Sequence, residues 1–478
     1  MSNTHRTIPL IPIAAPGVAP LERIHPRSVR GRFSRARLAC VLLTQGLFYG
    51  LPWLNWQGRQ AVLFDLEGRR FHFFGAVLFP QDLILLTGVL VFSALLLFAA
   101  TALVGRVWCG FACPQTVYTG MFMWLERRVE GDRLARLRLD DAPWGAEKLL
   151  RRGGKHLAWA ALALLTGFSL VSWFTPARSL VAALPTLAFG PWEAFWILFY
   201  AAATYVHAGL LREKVCQHAC PYGRFQGSML DAGTRVIAYD RARGEPRGAR
   251  ARGEDARARG QGDCVDCTLC VQVCPVGIDI RQGLQADCIS CGLCIDACDN
   301  VMDKLQAPRG LIRFQALAPT PTQARWWARP RVLVYASALL LVGGAVVWGW
   351  VTRPELRLNV LRDRTVLSRQ VEDGAVENVY RLQLMNASLQ PRRLALSAAI
   401  DGERPLNMQV HLTHALTVEP AGTAQAVLTL RLDAASAQRL APAQTVPIRI
   451  ELRDAQQEGA GPVADAAEAA AASTFVLR

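Results

Sequence analysis

The chain has 478 residues, of which 52% are hydrophobic and only 19% are charged, and its mean hydropathy is +0.19. This composition excludes a disordered chain and argues against a wholly water-soluble protein, and the length predicts about three structural units. The formal net charge of +15 invites a nucleic-acid-binding interpretation, which depends on where the basic residues lie along the chain.

Five apolar stretches contain no Asp, Glu, Lys or Arg and are long enough to cross a bilayer core of about 30 Å. They follow a basic N-terminal segment (1–37) that lacks the apolar region of a cleavable signal peptide. The first stretch is the shortest and contains Gln45 and two glycines, so a buried core helix is the alternative there. The predicted transmembrane spans are 38–54, 83–104, 157–174, 194–211 and 332–351.

The basic residues alternate between the two sides of these spans. Segments 1–37, 105–156 and 212–331 contain 7, 10 and 18 Lys and Arg residues, whereas 55–82 and 175–193 contain 3 and 1. Because cytoplasmic loops carry the excess of Lys and Arg, the pattern places the N-terminus in the cytoplasm and the C-terminal segment outside. The net charge then reflects membrane orientation, and nucleic acid is not an expected partner.

Two short motifs with the same cysteine spacing follow the second and fourth spans. Cys109 and Cys113 lie in VWCGFACPQ, and Cys216 and Cys220 lie in KVCQHACPY. A spacing of four puts both sulfurs of a pair on one face if the segment is helical, and each following proline suits the first turn of a new helix. Four thiolates at the membrane surface could bind a soft metal, especially Cu(I), or cycle as redox thiols; buried structural cysteines are the alternative. The isolated Cys40 is predicted to be structural.

The segment 231–262 is interpreted as a flexible linker. Its second half reads RARGEPRGARARGEDARARGQG, which is charged, rich in glycine and nearly free of apolar residues. A nucleic-acid-binding arm is the alternative, but the stretch has no aromatic residue on which a base could stack.

Eight cysteines follow the linker in two copies of the pattern C-x2-C-x2-C-x3-C, which predicts a ferredoxin-like (α+β) module at 263–305. In two-cluster bacterial ferredoxins the fourth cysteine of each run binds the other 4Fe-4S cluster. The pattern therefore assigns a first set, Cys264, Cys267, Cys270 and Cys298, to one cluster and a second set, Cys274, Cys288, Cys291 and Cys294, to the other. Paired C-x2-C zinc sites would leave the middle cysteines unexplained, and a disulfide framework is disfavoured in the cytoplasm. Asp299 stands where proline is usual, which removes no ligand.

Beyond the fifth span the sequence changes to short stretches of alternating apolar and polar residues. Seven such stretches predict an all-β immunoglobulin-like sandwich in the outer segment 352–478. The chain contains no C-x-x-C-H haem motif, no G-x-G-x-x-G fingerprint and no Walker A motif. Electrons are therefore expected to arrive from a partner or a quinol rather than from a bound nucleotide.

These motifs together resemble the FixG/RdxA/CcoG family of cytochrome oxidase accessory proteins. The resemblance covers nearly the whole chain and is carried by WCGFACPQTVYTGMF followed by ERRVEGDR, by REKVCQHACPYGRFQGSM, by the double ferredoxin run ending in CIDACDNVMDK and by the C-terminal sandwich. The expected architecture is a multi-domain membrane protein of the bacterial inner membrane. It combines a five-helix transmembrane α-bundle, four of whose spans lie in 38–230, with a cytoplasmic two-cluster module and a periplasmic immunoglobulin-like sandwich.

The resemblance further implies an oxidoreductase that reduces Cu(II) to Cu(I) for the assembly of cbb3-type cytochrome oxidase. Two 4Fe-4S clusters would be its cofactors, and a catalytic copper or redox site would be formed by Cys109, Cys113, Cys216 and Cys220. Expected partners are the membrane, oxidase assembly factors or copper chaperones, an electron donor that the sequence does not identify, and a second copy of the chain in a homodimer. The alternatives are a quinol-oxidising membrane ferredoxin that feeds a reductase, and a non-enzymatic redox sensor or assembly scaffold.

Overall fold

The computed structural model describes residues 24–250, 254, 256–317, 327, 329–362, 368–371, 373–400, 408–412, 416–440, 445–455 and 469–477. Residues 1–23 of the predicted N-terminal segment and residues 251–253 and 255 of the predicted linker lie outside this range. The chain divides into two units, one of residues 1–46, 97–167 and 198–335 and the other of residues 47–96, 168–197 and 336–478. Every boundary between the units falls inside a helix.

The helices contain most of the predicted spans and several of the cysteines. They are α1 (Arg32–Gly50), α2 (Leu83–Val104), α3 (Val107–Phe111), α4 (Pro114–Val129), α5 (Arg133–Asp141), α6 (Ala146–Val171), α7 (Ala177–Ala183), α8 (Pro191–Thr204), α9 (Pro221–Phe225), α10 (Arg241–Gly244), α11 (Leu269–Gln272), α12 (Leu293–Leu305), α13 (Pro330–Val351) and α14 (Ala434–Leu440). Two π-helical segments, Tyr205–Leu211 and Val215–Ala219, follow α8.

The strands lie between α1 and α2, around the cysteine-rich module and after α13. They are β1 (Asn55–Trp56), β2 (Arg59–Gln60), β3 (Val62–Asp65), β4 (Arg70–Phe73), β5 (Ala76–Leu78), β6 (Arg235–Tyr239), β7 (Ile312–Ala316), β8 (Leu356–Arg362), β9 (Arg369–Gln370), β10 (Val376–Asn386), β11 (Arg392–Ile400), β12 (Met408–Leu412), β13 (Leu416–Val418), β14 (Thr423–Leu432), β15 (Thr445–Asp454) and β16 (Ala469–Val476).

Four helical segments in the described part of the chain are long and apolar enough to cross a membrane: Pro80–Val104, Ala146–Val171, Pro191–Leu211 and Pro330–Val351. They contain nearly all of the second to fifth predicted spans. The first predicted span is not among them, because only its residues 38–50 belong to a helix, α1, which begins with an arginine-rich turn and ends at Gly50. The structure therefore supports four of the five predicted spans.

Two of these helices differ from the prediction at one end. Helix α6 begins at Ala146 rather than at residue 157, because its first turns form an amphipathic helix whose polar side chains are paired within the first unit. Lys155, for example, is fully buried and lies 2.9 Å from the carboxylate of Glu130. The fourth span changes from an α-helix to a π-helix at Tyr205, and π-helical turns are frequent near functional sites.

The cysteine-rich module packs on a two-stranded sheet in the first unit. Strand β6 pairs antiparallel with β7 and buries Ile237 in a core with Ile280, Ile295, Met302 and Leu311. The prediction of a flexible linker over 231–262 is wrong for this strand, because its apolar residues are needed to cover the module. Further along, Asp240 caps α10 and Arg243 pairs with Asp263 at 2.5 Å, so these described parts of the predicted linker are also held in place.

Two antiparallel sheets face each other in the second unit. One sheet has the strand order β12-β14-β10-β8, with β9 beside β10, and the other has the order β13-β11-β15-β16. Alternate residues such as Leu428 and Leu430 of β14 and Ile448 and Ile450 of β15 are buried in one core formed by both sheets. This arrangement is a β-sandwich, as the alternating sequence pattern predicts.

Candidate iron–sulfur and cysteine site

The eight ferredoxin-type cysteines line two cavities in the first unit. The first cavity is lined by Cys264, Cys267, Cys270 and Cys298. The second is lined by Cys274, Cys288, Cys291 and Cys294, and Cys270 also reaches it. The structure thus groups the side chains into the two sets assigned from the spacing, with Cys270 at the boundary between the cavities.

Helix α12 explains why consecutive cysteines serve different cavities. Cys294 and Cys298 are one turn apart on α12, so their side chains lie side by side and each faces its own cavity. The helix begins after Gly292, whose φ of 75° favours glycine and whose Cβ, if present, would lie 2.5 Å from the Phe33 ring. The sharp turn at Gly292 therefore allows Cys291 and Cys294 to line the same cavity.

Burial changes the acid–base chemistry of these thiols. It raises the pKa of Cys270 and Cys274 to about 11. It also raises the pKa of Cys288 and Cys298 to about 12. Thiolates are unfavourable in such apolar surroundings unless a cation neutralises them, and a coordinating metal deprotonates a thiol outright. Two groups of four thiols around apolar cavities therefore fit 4Fe-4S clusters, each of which is held by four thiolates.

The two C-x3-C-P motifs have similar local structures, and neither is one continuous α-helix. Cys109 lies in the short helix α3, and Cys113 is the N-cap of α4, whose first residue is proline. Cys216 lies in the π-helix Val215–Ala219, and Cys220 is the N-cap of α9, which also begins with proline. The prediction that each proline opens a new helix is confirmed. Because the chain turns at the second cysteine, the pairs do not lie on one face of a single helix.

The first C-x3-C-P motif packs directly on the ferredoxin module. Cys109 joins an apolar cluster that contains Ile289 and Cys291. A Cβ atom at Gly110 would lie 2.7 Å from the carbonyl oxygen of Ile289 and 2.9 Å from the Cα of Cys291. The two loops therefore touch backbone to backbone, which brings the C-x3-C-P motif beside the second cavity.

The cysteines of the two C-x3-C-P motifs influence one another's ionisation. Burial, together with a smaller contribution from the neighbouring Cys113, raises the pKa of Cys109 to about 12 and that of Cys216 to about 11. The charge of Arg106 opposes these shifts. In the part of the chain that the structure describes, no three His, Cys, Asp or Glu side chains are arranged to hold one metal ion. In a 4Fe-4S cluster each cysteine binds a different iron atom, so the cluster ligands need not converge on one ion.

Three polar residues complete the surroundings of Cys109: Arg106, Tyr222 and Gln226. Arg106 donates to the carbonyl oxygen of Ala286 and, at 2.6 Å, to that of Gly223, so it links the start of α3 to the ferredoxin module and to α9. Gln226 is fully buried, accepts a hydrogen bond from the Cys109 thiol at 3.7 Å and donates to the Tyr222 hydroxyl at 3.2 Å. The sequence signal for Arg106 is its position three residues before Cys109, whereas Tyr222 and Gln226 lie within the stretch REKVCQHACPYGRFQGSM.

Replacing Gly110 with alanine is expected to force the two loops apart. The added methyl group would overlap the backbone of Ile289 and Cys291, so we expect the free energy of unfolding to fall by about 1–3 kcal/mol. Gly120→Ala is the matched control, since a Cβ at Gly120 in α4 meets nothing within 4 Å and alanine favours the helix. Chemical denaturation in detergent micelles measures the free energy of unfolding of both variants. Equal stability of the two variants would contradict the close packing of the loops.

The fold and the site define a class of protein, namely an iron–sulfur electron-transfer protein with apolar helices suited to a membrane. Three family models match the chain: a 4Fe-4S binding domain at residues 86–130, a 4Fe-4S dicluster domain at 211–317, and the Ig-like fold at the C-terminus of FixG at 346–477. The last match identifies the β-sandwich as immunoglobulin-like.

Comparison with whole proteins identifies the family. The chain is 40% identical over 467 residues to protein RdxA of Cereibacter sphaeroides, covering 95% of this chain and 98% of RdxA. It is also 40% identical over 425 residues to the nitrogen fixation protein FixG of Rhizobium meliloti, covering 81% of each. The chain belongs to the FixG/RdxA family. A crystal structure of a FixG-related protein from Vibrio parahaemolyticus aligns with 26% of this chain and 95% of that chain, at 22% identity and a TM-score of 0.19.

Proposed function

We propose that this protein reduces Cu(II) to Cu(I) at the C-x3-C-P cysteines, with electrons that pass through the ferredoxin module. The observation that supports this proposal is the packing of Cys109 on the loop of Cys291, beside the second cavity. Bound in the two cavities, 4Fe-4S clusters would supply electrons one at a time. Reduction of Cu(II) to Cu(I) takes one electron, so the chemistry of the substrate matches that of the donor.

The cysteines would have distinct roles in this reaction. The second set, Cys274, Cys288, Cys291 and Cys294, would hold the cluster nearer to the copper site, and the first set would hold the more distant one. Cys113 is the N-cap of the 16-residue helix α4 and would supply one of the sulfur ligands to copper. Thiolates favour Cu(I), whereas Cu(II) favours nitrogen and oxygen ligands, so a thiolate site stabilises the product of the reduction.

The cellular setting is part of the same proposal. With residues 38–54 as a further span ahead of the four apolar helices, the excess of Lys and Arg in segments 1–37, 105–156 and 212–331 supports a cytoplasmic position for the N-terminus and the twelve motif cysteines, and a periplasmic position for the β-sandwich, in the inner membrane. The Cu(I) that this reaction produces would be used to assemble cbb3-type cytochrome oxidase, and assembly factors or copper chaperones would carry it. A homodimer is a further part of this proposal.

The double variant Cys109→Ala/Cys113→Ala is expected to lose copper reduction while keeping its clusters. The eight cysteines assigned to the two clusters lie outside the motif, so the iron content should remain at about eight atoms per chain. The assay follows Cu(I) formation, with a colorimetric Cu(I) chelator, by anaerobically purified protein reduced with dithionite and freed of excess reductant. The rate should fall to that of a protein-free blank.

Cys40→Ala is the matched control, because Cys40 is a half-buried cysteine on α1 outside both motifs. Its rate should equal that of the parent protein. If the double variant reduces Cu(II) as fast as Cys40→Ala does, the C-x3-C-P cysteines are not the copper site.

A further inference from the structure

A groove in the first unit is lined by residues of α1, α4 and α6 and by Val273, Pro275 and Leu293 of the ferredoxin module. It encloses about 1030 Å³, which is at the upper end of the range of about 300–1,000 Å³ for small-molecule sites. Leu38 and Leu42 of α1, Trp124 and Leu125 of α4 and Leu162 of α6 form much of its apolar wall. Leu42 is 65% exposed and Trp124 is 49% exposed, so the wall is open to a ligand.

The charged side chains of this groove all have the same sign. Its charged lining residues are five arginines: Arg27, Arg30, Arg35, Arg37 and Arg127. No Asp, Glu or Lys lines the groove within the described residues. Burial lowers the pKa of Arg127; Asp132 and Glu126 oppose this shift, and Arg37 adds to it. The groove therefore concentrates positive charge that its own lining does not neutralise.

The arginines and the apolar wall follow one another along α1. Arg35 and Arg37 lie in its first two turns, and Leu38, Val41 and Leu42 continue the same wall. From Arg35 to Leu42 the helix rises by about 10 Å. An elongated ligand lying along α1 would thus meet cationic groups at one end and apolar groups at the other.

We propose that this groove, which we call the arginine groove, binds one anionic phospholipid, with its phosphate on the arginines and its acyl chains along α1 and α4. Guanidinium groups bind phosphate oxygens through paired hydrogen bonds, and basic pockets between membrane helices recognise anionic headgroups. A free phosphate ion would leave the apolar wall unused. A quinone carries no charge to match five arginines.

Binding of dioleoyl phosphatidylglycerol to the delipidated full-length protein tests the headgroup end, with native mass spectrometry in detergent as the readout. We expect one molecule to bind, and the double variant Arg35→Gln/Arg37→Gln to weaken binding by about 10- to 30-fold. Arg138→Gln is the control, since Arg138 is an exposed arginine of α5 outside the groove, and its affinity should stay within twofold of the parent. An equal effect of both variants would overturn the proposal.

A pair of neighbouring leucines tests the apolar end. Leu42 and Leu43 are both 65% exposed on α1, but only Leu42 lines the groove. Leu42→Trp should fill the groove and abolish binding of the lipid, whereas Leu43→Trp should not. An unchanged iron content in all variants shows that they are folded.

Binding experiments with other ligands distinguish an anionic phospholipid from other molecules that could occupy the arginine groove. Dioleoyl phosphatidylcholine, with the same chains and no net charge, should not bind at the concentration that saturates with phosphatidylglycerol. The proposal is overturned if phosphatidylcholine binds equally well. It is also overturned if inorganic phosphate at the same concentration displaces the lipid, or if ubiquinone binds more tightly than phosphatidylglycerol.

Discussion

Replacing Cys294 with alanine is expected to lower the iron content of the purified protein from about eight to about four atoms per chain. Cys294 lines the second cavity with Cys274, Cys288 and Cys291, so its loss leaves three thiolates for that cluster. The first cluster should survive, because Cys298, one turn away on α12, faces the other cavity. Iron analysis and EPR of the anaerobically reduced protein would show one cluster signal lost and one retained.

The fourth cysteine of each run is assigned to the cluster of the other run, so a second variant, at Cys298, tests the assignment further. Cys298→Ala should also remove about four iron atoms, but from the first cluster, and the double variant Cys294→Ala/Cys298→Ala should retain almost none. Cys40→Ala, the control outside both sets, should keep the full content. A double variant that retains as much iron as either single variant would show that both cysteines serve one cluster, against the assignment.

Replacing Glu126 with alanine is expected to destabilise the first unit by about 3–5 kcal/mol, because it leaves two buried guanidinium groups without their counter-charge. Glu126 is 2% exposed on α4, and its carboxylate pairs with Arg136 at 3.0 Å and with Arg212. Arg212 in turn packs over the ring of the fully buried Trp159, at 5.4 Å from its centroid. Chemical denaturation of the protein in detergent micelles, followed by circular dichroism, measures the loss.

An exposed ion pair of the same chain supplies the control. Glu147 pairs with Arg151 at 2.8 Å across one turn of α6, but its side chain is 75% exposed. Glu147→Ala should therefore change the free energy of unfolding by no more than about 0.5 kcal/mol. Since Arg212 lies four residues before Cys216, Glu126→Ala should also slow copper reduction, which Glu147→Ala should not. Similar effects of the two variants would mean that the buried network does not hold this region together.

Local sequence patterns predicted the parts of this protein whose chemistry depends on residues close together in the chain. Three cysteines of each ferredoxin run fall within seven residues, so a cluster type can be recognised before the fold is known. The spans at 83–104 and 332–351 were similarly predictable, because an apolar run must be continuous to cross a bilayer. The interpretation of 231–262 as a linker failed at strand β6, because a short apolar stretch such as 236–239 gains stability only when it pairs with β7 and covers the module.

The cofactor class, most of the apolar helices and the prolines that open α4 and α9 are therefore predictable from local patterns. Three further features depend on the fold: Gly110 lies against Ile289, Glu126 pairs with Arg212, and the arginines of α1 share a groove with α4. These contacts join residues that are far apart in the chain, and no local spacing encodes them. They form when several helices bury their apolar surfaces against one another, because this packing brings the charged and cysteine-bearing ends of the helices together. Which ends meet depends on how the whole unit packs.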